Sequence, residues 1–193
     1  MRRVVVTEFI SVDGVIEAPG GGEPFERGGW AFDFDRGDEG NKFKHDELME
    51  ADAQLLGRKT YEGFAAAWPN RPDDEAGFTQ RMNSMTKYVV SNTLENPSWQ
   101  NTTVLNGDAA DAVRKLKEDG DGTVLIAGSA QLVQALTDAG LVDEYRLMVF
   151  PLVIGAGKRL WGDTGAPAAL NLVESKPVGD AGVLTLRYVP KDA

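Results

Sequence analysis

The segment from Leu55 to Glu62 combines residue types that bind phosphate. A strand-like run ends at Gly57, and Arg58, Lys59 and Thr60 follow directly, with Thr60 as the expected cap of the next helix. Free amides at a helix N-terminus, together with an arginine and a lysine, can hold a phosphate monoester such as the 2′-phosphate that distinguishes NADP from NAD. A solvated cationic turn is the alternative interpretation.

A second turn from strand to helix, at residues 126–131, has similar potential. Gly128 would let a pyrophosphate approach the backbone, and Ser129 is the expected cap of a helix that directs its amides at the same point. One glycine is a weak signal. Two helix N-termini at the carboxyl side of one parallel sheet favour dinucleotide binding more strongly than either alone.

A third glycine-containing segment, residues 155–160, does not match a nucleotide-binding fingerprint. Leu160 stands where a Rossmann loop has its third glycine, and Arg159 stands where a P-loop has Ser or Thr. We expect Gly155 and Gly157 to form a tight turn that shapes one wall of the site. A purely structural turn is the alternative.

Two aspartates are candidate acids for a polar heterocycle. Asp13 follows the first strand, at the position where ligands of α/β sheets lie, although a turn with Gly14 explains it equally well. Asp46 stands beside His45 on a predicted helix, where the pair could relay a proton or simply face solvent. No Ser/His/Asp arrangement is visible, so hydrolase chemistry is not favoured.

Strand-like and helix-like segments alternate through the first three quarters of the chain and must position these residues. This alternation predicts a single α/β domain over residues 1–193, with helices on both faces of a mostly parallel sheet. Strands are predicted at 4–10, 53–56, 87–91, 123–127 and 145–150, and helices at 108–119 and 129–139. From Leu170 onward the pattern is typical of antiparallel strands.

Residues 11–41 interrupt this alternation. They contain three consecutive glycines and the aromatic residues Phe25, Trp30, Phe32 and Phe34, which argue against simple disorder. We interpret the segment as an insert over the site, with its aromatic part, from Phe25 to Phe34, as a lid that excludes water.

The composition excludes several classes of site. The absence of cysteine and the presence of one histidine remove the usual zinc and iron–sulfur ligands, and a net charge of −10 disfavours nucleic-acid binding. The longest apolar run, residues 147–154, is far shorter than the ~20 residues that span a bilayer. We therefore expect a cytoplasmic protein with no metal, nucleic-acid or membrane partner.

Several motifs resemble the dihydrofolate-reductase-like superfamily, nearest the reductase domain of riboflavin biosynthesis and stand-alone bacterial proteins similar to it. They are Ser11-Val12-Asp13-Gly14, the run from Ala51 to Glu62, Ala127-Gly128-Ser129 and the segments within 140–160. The resemblance implies a three-layer α/β/α fold, NADPH as cofactor and a homodimer. It places Arg58, Lys59 and Thr60 at the 2′-phosphate and pyrophosphate, Gly128, Ser129, Ala130, Gln131 and Leu132 at the pyrophosphate, Ser91, Asn92 and Thr93 at the adenosine, and Val15 and Ile16 at the nicotinamide.

The chain also departs from these relatives at the substrate positions. Dihydrofolate reductase has an acid early in its second helix, where this chain offers only Asp46 or Glu47. The riboflavin-pathway reductases have basic residues where Thr7, Met49 and Glu50 stand here. A phosphorylated ribose substrate would therefore lose its expected partners.

The resulting hypothesis is an NADPH-dependent reductase of a small pterin- or pyrimidine-like heterocycle, or of a carbonyl or imine. Asp13 is the candidate anchor or acid, and Asp46 is the second candidate. A non-catalytic NADPH- or pterin-binding module of the same fold is the alternative. A dimer-forming structural protein, paired through its C-terminal strand, is a third.

Overall fold

The computed structural model describes residues 1–162 and 167–191, and the eight strands in this part of the chain form one sheet. The strands are β1 (Arg3–Ser11), β2 (Ala53–Gly57), β3 (Thr86–Val90), β4 (Thr102–Leu105), β5 (Thr123–Ile126), β6 (Glu144–Phe150), β7 (Leu170–Val178) and β8 (Val183–Pro190). The α-helices are α1 (Gly37–Glu50), α2 (Arg58–Ala67), α3 (Phe78–Ser84), α4 (Ala109–Glu118) and α5 (Ala130–Asp138), with 3-10 turns at Trp30–Asp33 and Trp68–Asn70.

The strand order is β4-β3-β2-β5-β1-β6-β8-β7, parallel from β4 to β6 and antiparallel beyond. The central strand β1 pairs with β5, where Val4 lies opposite Val124, and with β6, where Thr7 lies opposite Arg146. The carboxyl ends of six neighbouring strands therefore share one edge, the edge at which open α/β sheets bind ligands. The predicted fold class is confirmed.

Helices cover both faces of this sheet because β1 alternates its buried side chains between them. Val4 and Val6 pack with α4 and α5, whereas Val5 packs with residues of α1, α2 and α3. The result is three layers, with two apolar cores separated by the sheet. No helix in the described ranges combines the length and the apolar character needed to cross a bilayer.

Local signals account for the helices that the sequence predicts best. The Asp108 carboxylate accepts the backbone N–H groups of Ala110 and Asp111 at 2.9 and 3.1 Å, which confirms it as the cap of α4. Gly140 follows α5 with a φ of 65°, the conformation that commonly terminates a helix.

The insert differs from its prediction. Helix α1 begins at Gly37, so the insert spans 12–36 and ends before the expected boundary at 41. Trp30 is 4% exposed and donates its indole N–H to the Glu17 carbonyl at 3.0 Å, and its ring packs edge-on against Phe150. Phe34 contacts the same ring, whereas Phe32 stays exposed. Trp30 and Phe34 pack on β6, so this part of the insert forms a wall in the structure, and its role as a lid stays a prediction.

A buried carboxylate joins the first, sixth and eighth strands. Glu144 accepts hydrogen bonds from Arg3, Arg146 and Arg187 at 2.7, 2.9 and 2.8 Å. Burial alone would raise the pKa of Glu144, but the hydrogen bonds and charges of Arg187 and Arg146 hold that pKa below its ordinary value. The carboxylate is therefore ionised in the folded protein and stabilises this part of the sheet.

We expect Glu144→Gln to lower the free energy of unfolding by about 3 kcal/mol at pH 7, because the buried Arg146 would lose its buried charged partner and keep only the exposed Glu50. The pKa is depressed by folding, so the contribution is present above the ordinary carboxyl pKa and is lost as the pH falls through the folded value. Urea denaturation at several pH values measures it. Glu174→Gln, at an exposed partner of Arg187, is the control, and equal stability of both variants would contradict the account.

Candidate functional site

Two helix N-termini face each other at the carboxyl edge of the sheet. Helix α2 starts after Gly57 and helix α5 starts after Ser129, and no side chain caps either helix. In α5 the first intrahelical bond runs from the Val133 N–H to the Ser129 carbonyl, so the preceding amides have no partner within the helix. Free amides and the helix dipoles make this place suited to anions. We call residues 57–60 and 128–132 the paired turns.

The paired turns approach so closely that two glycines are required. A Cβ at Gly57 would lie 2.0 Å from the Ser129 hydroxyl oxygen, and a Cβ at Gly128 would lie 3.0 Å from the Thr60 methyl carbon. The Thr60 and Ser129 hydroxyl oxygens are 3.2 Å apart, within hydrogen-bonding distance. The two turns are thereby joined side by side.

The predicted side-chain caps of α2 and α5 differ from those in the structure. Ser129 has a left-handed backbone with a φ of 77°, and its hydroxyl pairs with Thr60 while no side chain bonds the first amides of α5. Thr60 is the third residue of α2, because Gly57 takes the N-cap position. The cap prediction for Thr60 is wrong, whereas Ser129 occupies the predicted N-cap position without a capping hydrogen bond, and the amides of Ala130, Gln131 and Leu132 remain free of side-chain caps.

Arg58 connects the paired turns to the loop after β3. Its guanidinium donates to the Thr93 hydroxyl at 2.8 Å and lies 3.5 Å from the Glu62 carboxylate. Ser91 accepts the N–H groups of Thr93 and Leu94. Asn92 exchanges hydrogen bonds with Gly107 in the loop after β4. The structure thus brings Thr93 to Arg58, while Ser91 and Asn92 hold the loops in shape.

Asp13 fastens the loop after β1 to the loop after β6. Its carboxylate accepts the Ser11 hydroxyl at 2.7 Å and the N–H groups of Ile154 and Gly155 at 3.0 and 2.8 Å. The Ser11 hydrogen bond is the main reason that the pKa of Asp13 is lowered to about 2; burial opposes it, and the amides of Ile154 and Gly155 lower the pKa further. An aspartate with so low a pKa is ionised at neutral pH and does not supply a proton, so the prediction of an acid is wrong, whereas the role of Asp13 as a polar anchor stays a prediction.

The loop after β1 and the loop after β6 together form one wall. Ile16 donates its N–H to the Lys158 carbonyl at 2.9 Å, and Val15 pairs with Arg159 in a single β-bridge. Gly157 has a φ of 107° and packs against Phe25 and Val15, so the predicted turn at Gly155 and Gly157 is present. Direct contact of Val15, Ile16 and these glycines with a cofactor stays a prediction.

Lys59 faces the same wall from the other side. Glu17 is hydrogen-bonded to Lys158, which is the main reason that its pKa lies below the ordinary value, and Lys59 is close enough to contribute. The wall and the start of α2 therefore lie within electrostatic reach of each other. Arg58, Lys59 and Lys158 collect positive charge at this edge of a protein whose net charge is −10.

Asp46 lies away from this edge. It is half-buried on α1, forms an ion pair with Lys42 at 2.5 Å and lies 3.5 Å from His45. The Lys42 hydrogen bond, followed by a smaller contribution from His45, lowers its pKa. His45 contacts the Ala76 carbonyl at 3.0 Å, so the exposed-histidine alternative describes the pair, and the assignment of Asp46 as an acid is wrong.

Glu8, which the sequence analysis missed, lies directly under the paired turns. Its carboxyl oxygen accepts the Gly128 N–H at 2.8 Å, and its side chain is buried on the α5 face of β1. Burial outweighs the Gly128 hydrogen bond and raises the pKa of Glu8 to about 8. A charged residue within the otherwise apolar run Val4–Ile10 was the available signal.

On the opposite face of β1, polar and aromatic side chains line the contact with α1. The Thr7 hydroxyl donates to Glu47 at 2.6 Å, Lys44 forms an ion pair with Glu47, and the Lys44 ammonium lies 4.9 Å from the centre of the Phe9 ring. The second carboxyl oxygen of Glu47 is buried without a hydrogen-bond partner. We call Thr7, Phe9, Arg36, Lys44 and Glu47 the α1 seam; the sequence analysis considered Thr7 and Glu47 but missed the other three.

Comparisons with known proteins agree with this architecture. The family model described as the RibD C-terminal domain matches residues 2–184. The uncharacterized protein YyaP of Bacillus subtilis (strain 168) is 30% identical over 189 residues, covering 97% of this chain and 94% of that protein.

Solved structures share the fold at low sequence identity. A putative riboflavin biosynthesis protein from Shewanella sp. PV-4 superposes with a TM-score of 0.77 at 19% identity, covering 98% of this chain and 99% of that one. Dihydrofolate reductase from Enterococcus faecalis, complexed with NADP(H) and RAB-propyl, superposes with a TM-score of 0.60 at 17% identity, covering 98% of this chain and 97% of that one. The resemblance found in the sequence is confirmed at the level of fold and family.

The buried Glu8 carboxyl makes stability depend on pH. Its pKa is raised by folding, so the unfolded chain ionises first and stability falls as the pH rises from about 4.5 to about 8. The slope from this group is at most about 1.4 kcal/mol per pH unit. We expect Glu8→Gln, which keeps an acceptor for Gly128, to remove that slope in urea denaturation between pH 5 and pH 9. Parallel pH profiles for the wild type and the variant would contradict the assignment.

Proposed function

The chain belongs to the RibD C-terminal domain family, and from this membership and the geometry of the paired turns we propose that it is an NADPH-dependent reductase. The hydride acceptor is a small pterin- or pyrimidine-like heterocycle, or a carbonyl or imine. The observation that carries the proposal is the close approach of two uncapped helix N-termini beside Arg58 and Lys59.

The paired turns suit a dinucleotide better than a single phosphate. The amides of Ser129 through Leu132 have no capping side chain, whereas the Gly128 amide is engaged by Glu8, so the pyrophosphate would meet the first turn of α5. Arg58 and Lys59 would hold the 2′-phosphate, and the Arg58–Thr93 contact orients the guanidinium for it. The missing Cβ atoms of Gly57 and Gly128 allow the two turns, and with them both helix N-termini, to approach this closely.

The substrate would lie toward the α1 seam. The unpartnered Glu47 oxygen can accept an N–H from a heterocycle, and Phe9 offers an apolar ring at the same end of the sheet. When bound, NADPH supplies a hydride. The reduction also needs a proton; Glu8, whose raised pKa keeps it protonated at neutral pH, is buried on the opposite face of β1 and does not face the seam.

A non-catalytic NADPH- or pterin-binding module is the second candidate. The observation that favours it is that Asp13 and Asp46, the two acids expected from the sequence, are both ionised and engaged elsewhere. The two candidates differ in turnover. Oxidation of bound NADPH by a dihydropterin, dihydrofolate or a flavin, followed at the nicotinamide absorbance, supports the reductase, and binding without oxidation by any of them supports the module.

Arg58→Ala tests the placement of the 2′-phosphate. We expect the affinity for NADPH to fall by about tenfold to a hundredfold, since a hydrogen bond to a charged group contributes about 1.5–3 kcal/mol. The affinity for NADH, which lacks that phosphate, should change little. Tryptophan quenching measures both, with Arg114→Ala on the exposed side of α4 as the control. Equal loss for the two nucleotides would contradict the assignment.

We also propose that a second copy of the chain covers the outer face of β7 and β8. Leu172 and Leu184 point to one face of this antiparallel pair and are 54% and 40% exposed, and β7 is the last strand of the described sheet. An exposed apolar face beside a strand with unpaired backbone groups is suited to association between identical subunits.

Leu184→Glu tests this interface. If the face is buried in a homodimer, the introduced carboxylate should raise the dimer dissociation constant by at least about 30-fold. The reason is that burying an unpaired charge costs at least about 2 kcal/mol. Sedimentation equilibrium measures it. Phe32→Glu, at an aromatic residue that is 74% exposed elsewhere, is the matched control. A monomeric wild type, or a dimer that both variants leave intact, would contradict the proposal.

A further inference from the structure

Arg36 stands at the start of α1 and reaches into the α1 seam. Its guanidinium carbon lies 5.0 Å from the centre of the Phe9 ring, and the Lys44 ammonium lies 4.9 Å from the same centre. Both cations therefore flank one aromatic ring near the carboxyl end of β1. Lys44 is neutralised by Glu47, so the two cations are not equivalent.

The Arg36 side chain has no carboxylate partner in the part of the chain that the structure describes. Its Nε donates to the neutral side chain of Asn41 at 2.7 Å, and burial alone lowers its pKa. A half-buried guanidinium without a counter-charge costs free energy, because its desolvation is not offset by attraction to an anion. The net charge of the seam is accordingly positive, in a protein of net charge −10.

The surrounding backbone is shaped to admit this side chain. A Cβ at Gly40 would lie 2.8 Å from the Arg36 Cβ, so a larger residue one turn into α1 would displace the arginine. Phe9 is held in turn by edge-on packing against Phe150, with ring centres 5.3 Å apart. The arginine and the ring are thus both positioned by their neighbours.

We infer that Arg36 and the Phe9 ring form a subsite for an anionic group, a carboxylate or a phosphate, carried by the substrate. The inference extends the proposed function and rests on it, because the bound anion is a substrate only if the protein is a reductase. An anion would provide the charge partner that Arg36 lacks, through the bidentate geometry that a guanidinium offers to both groups. The aromatic ring would pack against the apolar part of the same molecule.

The alternative is that Arg36 only stacks on Phe9 to stabilise the start of α1. The chain contains a comparable contact of this kind, since the guanidinium carbon of Arg71 lies 4.2 Å from the centre of the Trp68 ring. Arg71 is exposed and far along the chain from the seam, which makes it a matched control. A stabilising contact would bind no anion, so the two interpretations differ in ligand binding.

The test uses three small probes of similar shape: benzoate, phenylphosphonate and neutral benzamide. Each is titrated into the full-length protein while the Arg36 Nε–H resonance is followed in a ¹H–¹⁵N spectrum. We expect at least one of the two anions to shift this resonance to saturation and to bind at least about tenfold more tightly than benzamide. The comparison of the two anions distinguishes a carboxylate from a phosphate.

Arg36→Met keeps the length of the side chain and removes its charge. We expect it to abolish the preference for the anion, as read from the Phe9 ring resonances, whereas Arg71→Met leaves the preference intact. If benzamide binds as tightly as both anions, or if neither anion moves the Arg36 resonance, the subsite does not exist. NADPH titration of the same samples separates the two proposals, because failure of NADPH alone would overturn the proposed function and leave the anion subsite in place.

Discussion

The contact between the β2–α2 turn and the β5–α5 turn is the constraint on which the site depends. Gly57 and Ser129 approach so closely that no Cβ fits between them, and the Thr60 and Ser129 hydroxyls close the contact. This approach is available only because β2 and β5 are neighbouring parallel strands whose carboxyl ends coincide. Since the hydroxyls bind each other, neither caps a helix, and both helices present free amides at one point.

Buried ionisable side chains on both faces of β1 are the second organising feature. Glu8 lies on the α5 face, tied to Gly128, and the α1 seam lies on the other face with Lys44, Glu47 and the uncompensated Arg36. Polar groups buried in a central strand cost free energy, so a fold keeps them where they bind or position something. The charged residues thus converge on the end of the sheet where the paired turns lie.

The features that the sequence predicted correctly are encoded locally. The parallel strands follow from short apolar runs, α4 from its capping Asp108, and the proximity of two helix N-termini from the shared carboxyl edge of the sheet. Arg58 and Lys59 are adjacent in sequence to the turn that they serve. Patterns of this range are visible in a single sequence because each element carries its own signal.

The features that the sequence could not give depend on partners far along the chain. The Asp13 carboxylate accepts hydrogen bonds from the amides of Ile154 and Gly155, roughly 140 residues away, and no local pattern indicates that contact. Ser129 fails as a cap because Thr60 in another turn takes its hydroxyl. The packing of Trp30 could not be predicted because its partner Phe150 belongs to a distant strand. Glu8 is recognisable in the sequence as a charged residue within a strand, but only the structure shows that it accepts a hydrogen bond from Gly128.

Hydrogen exchange of the wild-type protein with and without NADPH tests the central claim most directly, because the claim concerns particular backbone amides. The account predicts slower exchange in the segments 57–60, 91–93 and 129–132, with smaller protection in the same segments when NADH replaces NADPH. Protection confined to other segments, or no protection at saturating NADPH, would contradict the assignment of the paired turns as a dinucleotide site.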